Sequence, residues 1–405
     1  MYGSLPNFQH LLAFCAVSKL GSVSAAARII HRSQPALTQA IAALERRFRE
    51  PLFTRTSTGM SLSAAGSICL PRAQRALEHI EQALADIGRG RIRDAAGATV
   101  PTPGSLTGTQ LASLAAVVEA RGFAAAARVT GLSRPSLHRT CRALERKLGV
   151  PLFEETSFGV EPTRDAERLA RRVKLAAAEV AQAHAEIAVP RGRRLGRLVI
   201  GAMPLARTTL VPEVILEFSP LYPELMISIL DGPYETMLLA LRQGEADLLV
   251  GALREHVSAE DIAQEHLFDD PLAIVMRPGH PLAGGRRPTA EDLAGFPWIA
   301  PRLESPLRVQ FDLLFKSTAP PTLNIVECNA LDVARALLIA SDRLMLLSAH
   351  QIRGDLAAGK LAVLPHPCGR VVRRIGITVR KGWRPTATQQ VFLDMLREAA
   401  AHVNY

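Results

Sequence analysis

The residues from Ser33 to Gln39 have the types and spacing that nucleic-acid recognition requires. Ser33 can cap a helix N-terminus, and Pro35 then falls in the first turn, where its missing N–H costs nothing. The polar side chains of this Ser-Gln-Pro-Ala-Leu-Thr-Gln segment can reach base edges in a major groove. The segment favours DNA reading, and an ordinary small helical domain is the alternative.

The elements around this segment complete a DNA-binding motif. Apolar spacing of three to four residues predicts helices over 11–16 and 25–30, and the third helix runs from about 34 to 48. Residues 52–62 are predicted to form two extended pieces around a glycine turn, which suits a small β wing. A long Ala-rich helix then runs over about 63–87. Helix, tight turn and helix followed by a wing predict a winged helix-turn-helix.

The whole unit occurs twice, at an offset of 100 residues. Segments 25–28, 43–46 and 51–53 recur at 125–128, 143–146 and 151–153. No gap is needed between Leu11/Leu111 and Ile87/Ile187, so we infer a tandem duplication rather than a solenoid. We call residues 5–88 copy one and residues 107–190 copy two.

The positive charge is concentrated in the duplicated half of the chain. The 405 residues carry a formal charge of +10, and residues 1–190 contain 24 basic and 15 acidic residues. Residues 191–405 contain 24 and 23, which is nearly neutral. A basic half seeks polyanions, although a solvated basic face gives the same count. Aromatic residues make up only 5%, which argues against a stacking platform for single strands.

Copy one resembles the winged helix-turn-helix of LysR-type transcriptional regulators. The resemblance rests on residues 24–28, 33–38, 43–45, 51–55 and 62–66. It implies that the helix starting at Ser33 reads DNA, that Arg55 in the wing contacts phosphate, and that the long helix pairs two chains. The residues that it makes candidates for base contacts are Gln34, Pro35, Thr38 and Gln39.

Copy two departs from that pattern in two opposite ways. Arg134 replaces Gln34, and with His138 and Arg139 it makes the third helix more basic, so these three residues are further DNA-binding candidates. In the wing, Glu155 stands in place of Arg55 and would repel phosphate. Copy two is therefore either a second reader or a retired reader kept for assembly.

The pattern of the C-terminal half is typical of a ligand sensor. From Gly196, short apolar strands alternate with helices such as 234–243 and 331–340, which predicts a parallel α/β sheet with one strand over 272–276. Residues 196–201, 220–223, 244–248 and 278–282 resemble the effector domain of LysR-type regulators, which is similar to periplasmic binding proteins. That resemblance implies two α/β subdomains with a ligand between them. A free-standing ligand-binding protein or enzyme with a helical appendage is the alternative.

Ligands in such sheets bind at the carboxyl ends of strands, near helix N-termini. The candidate effector-binding residues at those ends are Met203, Pro204, Leu205, Arg207, Thr208, Arg254, Arg302, Ser305 and Asn329. The three arginines favour a small anionic organic effector such as a carboxylate or sugar acid. A neutral sugar or aromatic molecule is the alternative, since the hydroxyl and amide groups suit it.

These observations predict a mixed fold class, with two tandem, mainly α winged helix-turn-helix domains followed by an α/β domain similar to periplasmic binding proteins. The predicted boundaries are 5–62 and 107–162 for the DNA-binding domains, 63–88 and 163–190 for the linker helices, 89–106 for a flexible linker, and 195–405 for the effector domain. Within the last, subdomain I covers about 195–268 plus 369–405, and subdomain II about 269–368.

Several classes of site are not expected. The five cysteines are odd in number and widely spaced, which disfavours a disulfide framework or zinc site. No signal peptide or run of 18 apolar residues occurs, so we expect a cytoplasmic protein without a membrane span. No catalytic, metal or cofactor site is expected, and Gly354–Lys360 matches most of a phosphate loop only because a helix ends there.

The expected partners are double-stranded promoter DNA, the effector and further copies of the chain. The two long helices are predicted to pair between chains in a homodimer or homotetramer. The duplication leaves a second possibility, in which one long helix packs against the other within one chain.

Overall fold

The computed structural model describes residues 5, 7–56, 59–90, 101–157, 159–189, 196–254, 260–284, 286–303, 305–318, 320–321 and 324–403. Most of the predicted linker over 89–106 lies outside these residues, because 91–100 are not described. The chain divides into two units, the first built mainly from residues 1–197 and the second mainly from residues 198–405.

Copy one folds as its local signals predict. Its elements are α1 (Phe8–Leu20), α2 (Val23–Ile29), α3 (Gln34–Phe48), β1 (Phe53–Thr56), β2 (Gly59–Leu62) and α4 (Ala64–Gly90). The side chains of Asn7, Ser22 and Ser33 each accept a hydrogen bond from a backbone N–H in the first turn of α1, α2 and α3. Gly21 ends α1 at φ +65°, a conformation that costs glycine no steric strain.

Copy two repeats the same order of elements. These are α5 (Gly108–Glu119), α6 (Phe123–Thr130), α7 (Arg134–Leu148), β3 (Phe153–Thr156), β4 (Gly159–Pro162) and α8 (Arg164–Ala188). Thr107 and Gln110 form a capping box at α5, and Ser133 caps α7 as Ser33 caps α3. The duplication seen in the sequence is therefore a duplication of structure.

The two copies share one hydrophobic core. Ile80 and Leu84 of α4 and Val173 and Val180 of α8 are all buried within it. The long helices α4 and α8 pack against each other along their length, within one chain. This is the second of the two arrangements that the sequence left open, and it removes the packed faces of α4 and α8 from pairing between chains.

The second unit is an α/β fold. Its strands are β5 (Gly196–Ala202), β6 (Leu225–Leu230), β7 (Leu248–Ala252), β8 (Ile262–Met276), β9 (Trp298–Ala300), β10 (Val326–Glu327), β11 (Leu344–Ser348), β12 (Ala362–Pro365) and β13 (Val372–Arg380). Its helices are α9 (Pro204–Thr208), α10 (Leu210–Phe218), α11 (Tyr234–Gln243), α12 (Ala290–Ala294), α13 (Pro306–Leu314), α14 (Leu331–Ala340), α15 (Arg353–Ala357) and α16 (Ala387–Ala401).

The sheet is mixed, which corrects the prediction of a parallel sheet. Strands run in the order β10-β9-β11-β8-β13-β7-β5-β6, with β12 also on β8. The β5–β7, β9–β10 and β9–β11 pairs are parallel, but β8 and β13 are antiparallel to each other and to their other neighbours. The mixed fold class with two winged units and an α/β unit is nevertheless confirmed.

Strand β8 extends well beyond the strand predicted over 272–276, because it begins at Ile262. Its first part pairs with β13, and its last part pairs with β11 and β12. It therefore pairs with different strands along its length, and Asp270 lies next to the point where β8 changes partners. Only the last part has a continuous apolar sequence, so the polar first part gave no strand signal.

The remaining features follow local rules. Gly354–Lys360 consists of the last four residues of α15 and a turn in which Gly359 has φ +64°, so this segment is a helix end rather than a phosphate loop. Across the described residues, no single helix combines the length and apolar character that a membrane crossing requires, and only the sharply bent pair α1–α2 passes that test jointly. Nor does this part of the chain bring together three or more His, Cys, Asp or Glu side chains as a metal site would.

Candidate DNA interface and effector site

Helix α3 presents its polar first turn to solvent. Ser33, Gln34, Pro35, Thr38 and Gln39 are all exposed, whereas the apolar face of the helix is buried in the core. The Ser33 Oγ accepts from the Ala36 N–H at 3.4 Å, and the Thr38 hydroxyl donates to the Gln34 carbonyl at 3.1 Å. The predicted base-reading residues thus share one outward surface on a capped helix.

The wing of copy one is fixed to the helix-turn-helix by its backbone. The Met60 N–H donates to the Gly21 carbonyl at 2.8 Å, and a Cβ at Gly59 would lie 2.5 Å from the same oxygen. Thr54 and Ser61 join the two strands through their hydroxyls at 2.8 Å. Arg55 is exposed on this hairpin, so its guanidinium can reach a phosphate at a fixed distance from α3.

A glutamate joins the third helix of each copy, α3 or α7, to the wing that follows it. Glu45 accepts from the Leu52 N–H at 2.8 Å, and the buried Glu145 accepts from the Leu152 N–H at 2.9 Å. These carboxylates hold the turn that leads into the wing, because a charged acceptor makes a strong hydrogen bond to backbone N–H. Sequence reasoning missed this role, although the recurrence of Ala-Leu-Glu-Arg at an offset of 100 was a signal for it.

Helix α7 is also exposed along its basic face. Arg134, His138 and Arg139 are all exposed, and Ser133 caps the helix by accepting from the Ser136 N–H at 3.3 Å. The His138 ring lies against Phe123 with ring centroids 5.3 Å apart. The predicted residues of copy two therefore share a surface equivalent to that of α3.

The wing of copy two is acidic on its exposed face. Glu154 and Glu161 stand directly opposite each other across β3 and β4, and Glu155 is exposed beside them. Like charges in opposed positions destabilise a hairpin and repel phosphate. The surface beside α7 thus has the opposite charge to the surface beside α3, where Arg55 stands.

The first group of candidate effector residues surrounds α9. The Met203 N–H donates to the Val250 carbonyl at 2.9 Å, and the Thr208 hydroxyl donates to the Leu205 carbonyl at 2.9 Å. Met203 and Leu205 are buried, and Pro204 is exposed at the first turn. Arg207 is ion-paired with Asp231 at 2.8 Å, so its charge is compensated locally.

Arg254 lies at the same edge, because β5 and β7 run parallel and both end there. Its guanidinium stacks 4.3 Å from the centre of the Tyr234 ring. Burial lowers the pKa of Arg254, and both its Nε and the Tyr234 hydroxyl are buried without a hydrogen-bond partner. Buried polar groups of this kind are usually satisfied, so a bound acceptor would complete them.

The second group lies at the carboxyl ends of β9 and β10. The Arg302 N–H donates to the Asn329 side-chain oxygen at 3.1 Å, which joins these two candidates. Ser305 caps α13 by accepting from the Leu307 N–H at 3.3 Å, so its oxygen is already used in the helix. α9 of the first group lies next to the 3-10 turn Ala349–Ile352 that follows β11.

A buried polar network lies where β8 changes partners. Asp270 is fully buried, accepts from the Ser348 hydroxyl at 2.5 Å and pairs with Arg373 at 2.6 Å. Arg373 also donates to the Gln351 side-chain oxygen at 3.2 Å. The network joins β8, β11 and β13, and sequence reasoning missed it because its members are far apart in the chain.

Comparisons with known proteins identify both copies and the α/β unit. The profile of the bacterial regulatory helix-turn-helix protein, lysR family, matches residues 8–67 and again residues 109–167. The LysR substrate binding domain profile matches residues 191–401. The two family domains together account for most of the chain, and one helix-turn-helix match falls within copy one and the other within copy two.

Two relatives match different lengths of this chain. The HTH-type transcriptional regulator GalR of Pseudomonas putida is 34% identical over 397 residues, covering 97% of this chain and 97% of that protein. The HTH-type transcriptional regulator PcaQ of Agrobacterium fabrum is 27% identical over 279 residues, covering 69% of this chain and 90% of that protein. GalR is therefore matched across the duplicated region as well.

A solved structure shows the same fold. The structure of a full-length OxyR variant from Pseudomonas aeruginosa aligns with a TM-score of 0.54 at 22% identity, covering 73% of this chain and 95% of that chain. The profiles and GalR identify more than the fold. The chain belongs to the LysR family of transcriptional regulators, with a helix-turn-helix that binds DNA and a C-terminal domain that binds an effector.

Proposed function

We propose that this regulator reads its operator through copy one. Gln34, Pro35, Thr38 and Gln39 contact base edges, Ser33 orders the helix, and Arg55 contacts phosphate. The observation that carries this proposal is the exposed polar turn of α3 beside a wing docked at Gly21. Base contacts give specificity, and the phosphate contact fixes the register of the helix in the groove.

A footprint with full-length protein tests the proposal. Gln34→Ala should weaken operator binding by about 1–3 kcal/mol and relax specificity at the base pair that Gln34 contacts. Arg55→Ala should weaken binding to every sequence alike, because a phosphate contact carries no sequence information. Gln74→Ala, which removes an exposed glutamine from α4, is the matched control. Unchanged footprints for both variants would contradict the assignment to copy one.

We propose that the effector is a small organic anion held near Arg254, with Arg207 and Arg302 at the strand ends around it. The unpaired buried Nε of Arg254 supports this, because a carboxylate would satisfy it. Met203, Pro204 and Leu205 supply an apolar wall. A neutral polar effector is the second candidate, and the Thr208, Ser305 and Asn329 side chains support it.

Ligand-induced stabilisation separates the two candidates. Gluconate, succinate and benzoate serve as anionic probes, and glucose serves as the neutral probe, each measured by the shift in Tm. Replacing Arg254 with Ala should cost an anionic ligand about 2–5 kcal/mol of binding, since its charge would be left unpaired. Arg286→Ala, on an exposed arginine of the same unit, is the control. Stabilisation by glucose alone, kept in the triple Arg207, Arg254 and Arg302 variant, would favour the neutral effector.

We propose that the protein acts in the cytoplasm, where bacterial promoter DNA lies, as an even-numbered homo-oligomer and without catalysing a reaction. Relatives named as transcriptional regulators support this proposal over an enzyme with a helical appendage. Light scattering on the protein in solution measures the assembly, and a monomer at micromolar concentration would contradict it.

A further inference from the structure

The α4–α8 contact is built around one buried arginine. The Arg72 side chain is 5% exposed and donates to Glu179 at 3.0 Å, to Gln182 at 2.7 Å and to Glu186 at 2.8 Å. Arg75 adds a second bond to Glu179 at 2.8 Å. These bonds fix the register between the two helices, because a buried arginine that loses its carboxylates is strongly destabilising.

A second contact between α4 and α8 has the same pair of positions as the first, with the two copies exchanged. Arg172 is the counterpart of Arg72 at an offset of 100, and its Nη1 lies 3.4 Å from His79 Nδ1, while His79 is the counterpart of Glu179. A contact between i and j that recurs between i + 100 and j − 100 is the signature of an isologous interface. α4 and α8 are thus antiparallel and related by an approximate two-fold axis within one chain.

The side chains also favour copy one with copy two over copy one with itself. If α4 paired with a second α4, Arg72 would face His79 and Asp86 in place of Glu179 and Glu186. One of its two carboxylates would become an imidazole, and Arg75 would lose its carboxylate as well. The two helices have therefore diverged in a way that stabilises the pairing of α4 with α8.

The two reading helices held by this pairing differ in charge. α7 carries five basic residues and one acidic residue, whereas α3 carries two and one. The wings differ in the opposite sense, since Glu154, Glu155 and Glu161 of copy two replace Thr54, Arg55 and Ser61. Both helices expose their polar face to solvent. Because the exposed side chains and the wings differ, the two copies would suit different half-sites.

We propose that one chain carries a complete pair of DNA readers, α3 and α7, which bind two unequal half-sites of one operator at once. Copy two contacts its half-site through Arg134, His138 and Arg139 of α7, and the acidic wing of copy two contributes little to the affinity. The proposal rests on the proposed function of copy one and adds a second reader in the same chain. It also makes the operator asymmetric, because a pair of different readers has no reason to require a palindrome.

Footprints on the full-length protein test the second reader. Arg134→Ala/Arg139→Ala should lower the affinity for one half-site about tenfold, as expected for the loss of base contacts. Gln34→Ala/Arg55→Ala should lower the affinity for the other half-site by a similar factor. Arg286→Ala/Arg384→Ala removes two exposed arginines of the second unit and should change neither half-site.

The outcomes separate the two proposals. If the copy-two variant leaves both half-sites protected, copy two is not a reader and this inference is overturned, while the proposed function of copy one stands. If the copy-one variant leaves both half-sites protected, the proposed function itself fails.

Zero-length cross-linking tests whether the pairing lies within one chain. In Arg75→Lys, a carbodiimide can join the new amine to Glu179, and we expect a linked peptide from a band of single-chain mass. For the reverse test, a tagged Arg75→Lys/Glu179→Gln chain is co-expressed with an unsubstituted chain carrying another tag. A peptide joining position 75 of one chain to Glu179 of the other would overturn the inference, and so would the absence of the link in the first experiment.

Discussion

At the scale of single residues, Asp270 is a fully buried carboxylate that joins three strands of the α/β unit through Ser348 and Arg373. Removing its carboxylate by Asp270→Ala leaves Arg373, only 14% exposed, without its ion-pair partner. We expect a loss of about 3–5 kcal/mol in the free energy of unfolding, since a buried charge is left uncompensated. Both tryptophans, Trp298 and Trp383, lie in this unit, so urea unfolding followed by tryptophan fluorescence measures it.

The neighbouring residue gives a matched control. Asp269 is about half exposed and pairs with His266 at 2.9 Å, so Asp269→Ala should cost less than about 1 kcal/mol. Asp270→Ala/Arg373→Met removes both charges and should recover most of the loss. An equal loss of unfolding free energy in Asp269→Ala and Asp270→Ala would show that the buried Asp270–Arg373 pair contributes no more to stability than the more exposed pair of Asp269.

Residue types predicted the DNA surface better than the buried network. Gln34, Thr38 and Gln39 are polar residues at helical positions that the apolar pattern leaves outside the core, so their exposure followed from sequence alone. Asp270 and Arg373 are 103 residues apart, and no local pattern joins them. Their pairing is set by the register of β8 with β13, which only the folded sheet supplies.

At the scale of elements, prediction succeeded where the stop and start signals are local. α3, α11 and α14 have the predicted ends, because apolar spacing defines them within a few residues. At α3 the Ser33 cap and Pro35 in the first turn mark the start as well. The predicted strand at β8 was too short, because the polar first part of β8 is a strand only through its pairing with β13. The register between β13 and β8 shifts between Ile375 and Gly376. The two strands come so close there that a Cβ at Gly376 would lie 2.0 Å from the Glu265 carbonyl oxygen.

The long helices show a different limit of sequence reasoning. Their Ala- and Leu-rich faces predicted a helix pair, and the structure contains one. A pattern of apolar residues does not state whether the partner helix belongs to the same chain. The duplication makes an α8 available as well as a second α4, and the pairing of Arg72 with Glu179 and Glu186 favours α8.

At the scale of the whole molecule, the excess of positive charge lies in residues 1–190, but the acidic wing of copy two interrupts it. Binding to DNA releases counterions, and the slope of log affinity against log salt concentration counts the phosphates that the protein contacts. If copy two sits on DNA with its wing near phosphate, restoring a basic wing residue should add one contact to that count.

Glu155→Arg tests this arrangement. We expect the slope to steepen by about 0.9, the value for one added phosphate contact, with higher affinity at low salt. Glu78→Arg changes the charge by the same amount at an exposed position of α4, away from both wings. It should raise affinity only slightly through the general field and leave the slope nearly unchanged. Salt titrations of operator binding by both variants measure the difference, and equal slopes would mean that the wing of copy two does not approach the DNA backbone.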